Sequence, residues 1–594
     1  MVIFGSTLDI ITAFAGLKKR NVLHHTSYST RVGQVASNTI LSWKHLQHLP
    51  STYVTAAPTR RLSIRHQEDE SERAKLKLGN AKIAVIGGGI CGVTAASAIK
   101  HRMLSIAPDH KIEIVIYERD EAAFSTETLN QSNMKRLLQP TWIAATARNC
   151  NSLVPGGAMH IMSQRSTLAD IARDTVSELY LSLTSGNADQ RDFSDSPPYF
   201  GVNLNRCLGM NVNNNERKCF ASFIVHFMKT CLMTGSKEAE ERGHIMVQLA
   251  KANKCAFENY LSLYGKESSK NIGLRNGFIS VFRSQKGAAN VLKEGKDFGI
   301  EMKQLSMTEA VEIEPKLANL PIQNMHFVHR VQDQTADCAE FIRIMINSFY
   351  EDPDITYANG NMAVKRVSKL KRDRSKKKES LHRFKVELSD GSSDEFDYVV
   401  LAAGAYTPLF AHQLGNSLAS VVPVYPLRGY SLTVFVNKKS ESPYLQTGLS
   451  FDGMYCSSVS PHMVRLAGFG EIAGFPDYNK SSCSKVGPMV LEKYAKAAFG
   501  SDLAKDVKGT TLPCYRPISP DDFPIVGGTA KMPRVYFHTG HGTLGWTMAM
   551  ATAHCLAQDI CDDILGIQDR DDFVLPDGTS LDRSILSPDR FSFI

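Results

Sequence analysis

The chain has 594 residues, of which 43% are hydrophobic and 22% are charged, and its formal net charge is +8. This length exceeds one ordinary domain, and the composition is that of a globular protein with a large core. Residues 1–66 carry eight Lys or Arg against one Asp, a net +7, which leaves +1 for the rest of the chain. A surface for nucleic acid is therefore not expected.

Residues 1–66 are rich in Ser, Thr and Arg and nearly free of acids, as organelle transit peptides are. We expect a removable mitochondrial segment, with a plastid transit peptide or a disordered tail of a cytoplasmic protein as alternatives. A secretory signal is not expected, because Asp9 interrupts the apolar start and no basic region precedes it. No later apolar run approaches about 18 residues, so no transmembrane helix is predicted, although peripheral membrane contact is left open.

The twelve cysteines are scattered singly, without CxxC pairs or Cys/His ligand spacing. Neither a metal site nor a disulfide framework is expected from this pattern.

The first strong signal is a strand, a glycine turn, a helix and a second strand. Ala81–Ile86 predicts a buried strand and leads into residues 87–92, a G-x-G-x-x-G sequence that we call the first glycine turn. Residues 93–99 predict a helix of small residues, and residues 111–118 predict a strand that ends in Glu118, which would bind ribose hydroxyls. This combination favours dinucleotide binding over a glycine turn of another α/β protein, with NAD and FAD both open at this point.

The turn's residues have separate physical roles. Gly87 permits the tight turn, Gly89 lets the backbone approach a pyrophosphate, and Gly92 lets helix and strand pack closely. Ile90 and Cys91 lie between them at the helix N terminus, where backbone N–H groups and the helix dipole attract an anion.

The middle of the chain carries weaker signals. Residues 146–157 suit a loop against a cofactor, although a plain surface loop fits equally well. Residues 185–207 are interpreted as an inserted loop, and the basic run 365–378 as a solvated hairpin tip rather than a polyanion site.

A second block of strands shifts the nucleotide towards FAD. Phe384–Leu388 and residues 396–401 flank a polar turn, and the second run ends in the small residues 402–405. Such a strand end lets the backbone meet a nucleotide a second time, which interleaved FAD domains need and NAD dehydrogenases do not. Residues 424–434 and Met463–Ile472 then predict antiparallel sheet, typical of a domain that covers the substrate.

The last signal is again a strand, a glycine turn and a helix, over residues 535–560. We call residues 540–545 the second glycine turn. The N–H groups of Thr543, Leu544 and Gly545 could face the N1–C2=O edge of a flavin, where negative charge develops on reduction. Trp546 is expected in the core, and His541 is expected to be a positioned loop residue rather than an acid or base.

Several motifs together resemble the D-amino acid oxidase (DAO) superfamily of FAD-dependent oxidoreductases: residues 540–547, Arg516-Pro517 with 520–527, 425–432 and 470–475. Within it, the similarity is greatest to bacterial D-amino acid dehydrogenase small subunits, over residues 81–561. The resemblance implies an α/β fold with a discontinuous Rossmann-like FAD-binding domain and an antiparallel-sheet substrate domain. After a linker at 67–80, it implies FAD-binding segments 81–165, 335–415 and 515–565, substrate segments 166–334 and 416–514, and a C-terminal tail, 566–594.

The resemblance also implies roles for individual residues. The ADP part of FAD would contact Gly87, Gly89, Gly92 and Glu118, with Val364 framing the adenine. The remaining implied cofactor contacts are Arg148, Asn149, Gly404, Gly542, Thr543, Leu544 and Gly545. Arg516 would bind the substrate carboxylate, unless it merely pairs with Asp521 or a nearby acid and holds the turn.

The implied reaction is oxidation of the CH–NH bond of a D-amino acid or related secondary amino acid by FAD. The imino acid would hydrolyse to a 2-oxo acid, and a quinone or O2 would accept the electrons. Two alternatives are an NAD(P)-dependent dehydrogenase, disfavoured by residues 540–546, and a non-catalytic FAD-binding assembly factor, disfavoured by Arg516.

Covalent attachment of FAD depends on Cys514. Sarcosine-oxidase relatives attach FAD covalently through a cysteine that lies seven residues before the aspartate of a Pro-Asp pair. Cys514 lies seven residues before Asp521 in the same way. Those relatives lack the Arg516-Pro517 pair, so we expect non-covalent FAD.

Overall fold

The computed structural model describes residues 81–119, 152–153, 200–202, 207, 212–234, 236–264, 271–319, 325–359, 363–370, 383–435, 444–451, 454–460, 463–475, 488–489, 491–492, 495–496, 511–567 and 572–592. They belong to a compact unit formed by Leu76–Ile171 and Asp189–Ile594. The expected transit segment, the linker, Arg148 and Asn149 lie outside the described residues.

The strands, numbered in chain order, are β1 (Ala81–Ile86), β2 (Ile112–Tyr117), β3 (Ser152–Leu153), β4 (Phe200–Val202), β5 (Arg275–Phe282), β6 (Met302–Leu305), β7 (His326–Thr335), β8 (Ile355–Ala358), β9 (Val364–Lys369), β10 (Phe384–Leu388), β11 (Ser393–Phe396), β12 (Tyr398–Leu401), β13 (Tyr425–Phe435), β14 (Gly448–Phe451), β15 (Met454–Ser460), β16 (Met463–Ile472), β17 (Thr511–Ile518), β18 (Ile525–Gly528), β19 (Val535–Thr539), β20 (Asp572–Val574) and β21 (Ser580–Asp582).

The helices are α1 (Ile90–Ile106), α2 (Asn214–Met233), α3 (Ser236–Tyr264), α4 (Gln285–Asp297), α5 (Met307–Ile313), α6 (Cys338–Phe349), α7 (Thr407–Leu414), α8 (Asn416–Ala419), α9 (Gly545–Leu565) and α10 (Arg583–Leu586). Short 3-10 helices cover Pro315–Asn319, Gly404–Tyr406 and Pro588–Phe591. Among the helices of the described ranges, none combines the length and apolar character that crossing a membrane requires.

A six-stranded sheet carries the first glycine turn, in the order β18-β19-β12-β1-β2-β8. All neighbours are parallel except β18, which runs antiparallel to β19. One buried cluster joins the sheet to α1, α3, α6 and α9, and a second joins it to the three-stranded sheet β9-β10-β11. Because both faces are covered, β1 and β2 are almost continuously apolar, as parallel strands usually are.

A separate ten-stranded sheet has the order β17-β13-β16-β15-β14-β5-β7-β3, with β4 beside β16 and β6 beside β7. Its pairs are antiparallel except β14 with β5 and β4 with β16. The predicted fold class, a Rossmann-like parallel sheet with a mostly antiparallel second sheet, is confirmed.

The structure differs from the expected boundaries near the C terminus. β17 continues to Ile518, so the start of the expected third FAD segment belongs to the antiparallel sheet. The expected tail contains β20, β21 and α10, and Arg583 pairs with Asp559 at 3.0 Å and Asp562 at 3.1 Å. The segment packs onto the domain through Phe573, Leu575, Leu581 and Leu586 of the first buried cluster as well as through Arg583.

Two other expectations fall partly outside the described residues. β9 and β10 pair antiparallel, as a hairpin requires, but residues 371–382 at its tip are not described. Within the expected inserted loop, Phe200–Val202 forms a strand that pairs with β16.

Candidate cofactor and substrate site

The first glycine turn joins β1 to α1 where the backbone leaves no room for side chains. Gly87 has φ +111°, and a Cβ there would lie 2.5 Å from the carbonyl oxygen of Ala402. A Cβ on Gly92 would lie 1.8 Å from the carbonyl oxygen of Gly87. Gly89 is the extended N-cap of α1. The N terminus of α1 therefore lies at the carboxyl edge of the sheet, where pyrophosphates bind.

Glu118 lies beside this turn, immediately after β2. Its carboxylate Oε2 accepts a hydrogen bond from the backbone N–H of Gly88 at 2.9 Å, and the residue is buried. The hydroxyl of Tyr357, on β8, donates to the carbonyl oxygen of Gly88 at 3.4 Å. The acid predicted to bind ribose is thus held at the turn by the turn's own backbone.

The predicted second contact follows β12, the strand next to β1. The N–H of Ala402 donates to the carbonyl oxygen of Ile86 at 2.9 Å, which brings the end of β12 to the first glycine turn. Gly404 has φ +55°, and its carbonyl oxygen accepts from the Thr539 hydroxyl at 3.0 Å. Gly404 therefore links the ends of β12 and β19.

Val364 begins β9 and is half-buried. It packs against the buried cluster that contains Tyr117 and Ala358, which end β2 and β8. Its contact with the adenine stays a prediction.

The second glycine turn lies between β19 and α9. Gly540 has φ +78° and Gly542 has φ +54°, a region that favours glycine. Thr543 is exposed, whereas Leu544 is buried. The N–H of Leu544, which is one of the predicted flavin contacts, donates to the carbonyl oxygen of His541 at 2.9 Å and closes the turn.

The helix α9 begins at Gly545, directly after this turn. The next residue, Trp546, is 1% exposed, and its ring lies 5.2 Å from that of Phe341 and 5.4 Å from that of Phe257. The prediction that Trp546 is a core residue is confirmed.

Arg516 lies on β17, at the edge of the ten-stranded sheet. Its Nη1 donates to the carbonyl oxygen of Phe469 on β16 at 2.8 Å, so its side chain crosses β13. A Cβ on Gly429 of β13 would lie 2.5 Å from the Arg516 Cζ, so the guanidinium occupies the space that this glycine leaves. Asp521 pairs instead with Arg590, at 2.9 and 3.2 Å, and within the described residues no ion pair joins Arg516 to this or another nearby acid.

The residue after Arg516 ties it to the second glycine turn. The carbonyl oxygen of Pro517 accepts from the N–H of Gly542 at 2.7 Å, and Ile518 forms a β-bridge with His541. The predicted substrate residue and the predicted flavin contacts are therefore held together by backbone hydrogen bonds. This proximity depends on the tertiary fold, because the two segments belong to different sheets.

An ion pair between the buried Arg428 and the partly exposed Glu471 lies close to Arg516 and was not predicted from the sequence. Glu471 on β16 accepts from Nε of Arg428 at 2.7 Å and from the Tyr430 hydroxyl at 2.8 Å. Burial alone would lower the pKa of Arg428, but Glu471 and neighbouring tyrosines raise it. Side chains alternate along a strand, so Arg428 points away from the face on which Gly429 makes room for Arg516. The pair holds β13 to β16.

Two buried histidines lie behind the glycine turns. His538 and His541 are fully buried, and burial lowers the pKa of His538 to about 4 and that of His541 well below its usual value. Cys91 follows the buried Ile90 in the first turn of α1, and burial raises the pKa of its thiol to about 12. All three groups are therefore uncharged at neutral pH.

A family model described as FAD dependent oxidoreductase (DAO) matches residues 82–559. This chain belongs to the DAO family. The match spans both glycine turns, Gly404 and Arg516. Membership makes FAD the cofactor and sets aside the NAD(P)-dependent alternative.

Named relatives show how far the similarity of this DAO-family chain extends. It is 29% identical over 301 residues to D-amino acid dehydrogenase of Vibrio vulnificus (strain YJ016), covering 48% of this chain and 64% of that protein. It is 27% identical over 391 residues to D-amino acid dehydrogenase of Chromohalobacter salexigens, covering 63% of this chain and 85% of that protein. The chain thus spans slightly less than two thirds of the Vibrio relative. Glycine oxidase from Bacillus cereus ATCC 14579 aligns at 14% identity with a TM-score of 0.49, covering 85% of this chain and 100% of that one.

The residues of the DAO-family chain fit FAD at three places. The missing side chains of Gly87 and Gly92 leave the backbone bare where a pyrophosphate would lie. Glu118 and Gly404 stand at the same sheet edge, and the second glycine turn begins a long buried helix. These residues would hold the dinucleotide along the carboxyl ends of the parallel strands.

Proposed function

We propose that this protein oxidises the CH–NH bond of a D-amino acid or a related secondary amino acid to the imino acid. Water then hydrolyses the imino acid to a 2-oxo acid and releases ammonia or an amine. DAO family membership and the relatives named D-amino acid dehydrogenase support this reaction. The observation that carries the proposal is the position of the Arg516 guanidinium. It lies over Gly429, and the next residue, Pro517, accepts a hydrogen bond from the second glycine turn.

Arg516 binds the substrate carboxylate. A guanidinium has five N–H donors in a planar fork, and the described contacts use one of them for the carbonyl oxygen of Phe469. The remaining donors match the two oxygens of a carboxylate through charge-assisted hydrogen bonds. Because Phe469 and Gly429 fix the guanidinium, its planar fork also fixes the orientation of the substrate.

The other residues orient the reacting atoms. Bound FAD would supply the oxidant that takes a hydride from the α-carbon. The hydrogen bond between Pro517 and Gly542 sets the distance between the carboxylate clamp and the second glycine turn. A side-chain base is not required, because a neutral amine can lose hydride directly. The electron acceptor we propose is a quinone or O2, with peripheral membrane contact as a route to a quinone.

The experiment is anaerobic mixing of the FAD-loaded protein with matched D-amino acids, L-amino acids and amines that lack the carboxylate. The absorbance of oxidised flavin near the visible maximum is followed. We expect D-amino acids, or secondary amino acids, to reduce the flavin much faster than the matched amines. Reduction of the flavin by L-amino acids alone would contradict the proposed preference for D-amino acids. Reduction by none of these compounds would favour the non-catalytic FAD-binding assembly factor.

A further inference from the structure

Four side chains from four separate segments form a hydrogen-bonded ring between the two glycine turns. Cys91 lies in the first turn of α1, His538 on β19, His541 in the second glycine turn and Thr552 on α9. His538 and Thr552 are 0% exposed and His541 is 2% exposed. We call these residues the four-residue ring.

The ring closes through four contacts. The Cys91 Sγ lies 3.5 Å from Nδ1 of His541, whose Nε2 lies 2.9 Å from the Thr552 hydroxyl oxygen. That same oxygen lies 2.9 Å from Nε2 of His538, whose Nδ1 lies 2.8 Å from the carbonyl oxygen of Cys91. Thr552 therefore takes part in two of the four contacts.

The proton positions of an uncharged ring follow from its one fixed acceptor. A carbonyl oxygen only accepts, so Nδ1 of His538 donates to Cys91, and Nε2 of the neutral ring must accept from the Thr552 hydroxyl. The Thr552 oxygen then accepts from Nε2 of His541. This leaves Nδ1 of His541 to accept from the Cys91 thiol. The Thr552 hydroxyl also lies 2.9 Å from the carbonyl oxygen of Met548, but its single proton completes the ring when both histidines are neutral.

A metal ion is the competing explanation. One ligand atom each from Cys91, His538 and His541 lies within 4.8 Å of the others. In the uncharged ring every imidazole nitrogen already has a partner of the right kind, so no ion is needed.

We propose that the four-residue ring is a positioning device that holds the second glycine turn in register with the first. This inference rests on the FAD site of the DAO family and not on the amino acid substrate. Bound FAD would contact both turns, so its affinity would depend on their spacing. The turns also approach directly, because a Cβ on Gly545 would lie 3.9 Å from both His541 Cβ and Ile90 Cγ2. The ring fixes this spacing before FAD binds.

The test compares Thr552→Val with Thr552→Ser in the full-length protein. Valine has nearly the same shape but removes the hydroxyl that two histidines share, whereas serine retains it. Thr447→Val is the control for loss of a buried hydroxyl: Thr447 precedes β14 in the ten-stranded sheet, and its hydroxyl donates to the carbonyl oxygen of Gly277 at 2.6 Å. FAD is removed, and its affinity is measured by flavin fluorescence with the visible circular dichroism of the rebound flavin.

We expect Thr552→Val to bind FAD about 10-fold more weakly, which is about 1.4 kcal/mol, and to change the dichroism of the bound flavin. Thr552→Ser and Thr447→Val should both resemble the wild type in FAD affinity and dichroism. The proposal fails if Thr552→Val keeps wild-type affinity and dichroism, or if serine does not rescue. It also fails if elemental analysis of the purified wild type finds one metal ion per chain.

A second pair of variants covers the case in which Thr552→Val does not fold. Cys91→Ala removes one donor of the ring, and Cys91→Ser retains a donor at the same place. We expect weaker FAD binding in the alanine variant and recovery in the serine variant, and equal affinities would overturn the proposal. No amine is present in these assays, so their outcome is independent of whether the protein oxidises amino acids.

Discussion

Filling the space over Gly429 tests whether the position of Arg516 matters for the reaction. In Gly429→Ala the added Cβ would lie 2.5 Å from Cζ and Nη2 of Arg516 and 2.9 Å from its Nε. Ordinary contact between such atoms needs about 3.5 Å, so the guanidinium must move by about 1 Å. A displacement of about 1 Å in a positioning group can cost on the order of 100-fold in rate, or about 2.7 kcal/mol.

The assay is kcat/KM for a D-amino acid and for the matching amine without a carboxylate. We expect Gly429→Ala to lose roughly 100-fold for the amino acid and little for the amine, because only the amino acid uses Arg516. The control is Gly470→Ala on the adjacent strand, where the nearest atoms belong to the Leu427 side chain, at 3.2 Å or more. An FAD-loaded Gly429→Ala protein with wild-type kcat/KM for the D-amino acid would refute the reasoning.

Three further predictions concern the rest of the chain. Removal of residues 1–66 should leave an FAD-loaded protein, and loss of the flavin would contradict this. A reporter protein fused to residues 1–66 should reach mitochondria, and a plastid or cytosolic signal would contradict the predicted localisation. Acid or heat should release FAD from the polypeptide, and flavin that stays bound in the wild type but not in Cys514→Ser would show a covalent link. Glu471→Gln should lower the free energy of unfolding by about 3 kcal/mol, because Arg428 stays buried without its counter-charge. Denaturant titration measures the free energy of unfolding. The control Glu387→Gln, in a solvated ion pair, should change that free energy by less than about 0.5 kcal/mol. Equal losses in the two variants would contradict the prediction for Glu471.

The parts of the fold that the sequence predicts are encoded locally. Ala81–Ile86 is a strand with the predicted bounds, and Glu118 follows the second strand as its pattern indicates. Gly404 and Gly542 each follow a predicted strand and adopt positive φ. Each of these features depends on neighbouring residues, because strands, turns and helix starts are set by short-range preferences.

The parts that were missed depend on register and long-range packing. Arg428 meets Glu471 because β13 and β16 pair in one particular register, which no local pattern specifies. The four-residue ring joins positions from Cys91 to Thr552 across two glycine turns and two helices. The C-terminal segment has polar composition, yet Arg583 and Arg590 pair with acids of other elements. Composition alone does not reveal such partners.

Carboxylate binding by Arg516 is tested most directly by one ratio, kcat/KM for a D-amino acid divided by kcat/KM for the matching amine. The ratio is measured for the wild type, Arg516→Lys and Arg516→Ala. Hydrogen bonds to charged groups contribute roughly 1.5 to 3 kcal/mol each, so losing two should cost about 3 kcal/mol or more. We therefore expect Arg516→Ala to keep its FAD and to lose at least roughly 100-fold of this ratio. Lysine should rescue only part, because it lacks the planar fork. An FAD-loaded Arg516→Ala protein with an unchanged ratio would contradict carboxylate binding by Arg516.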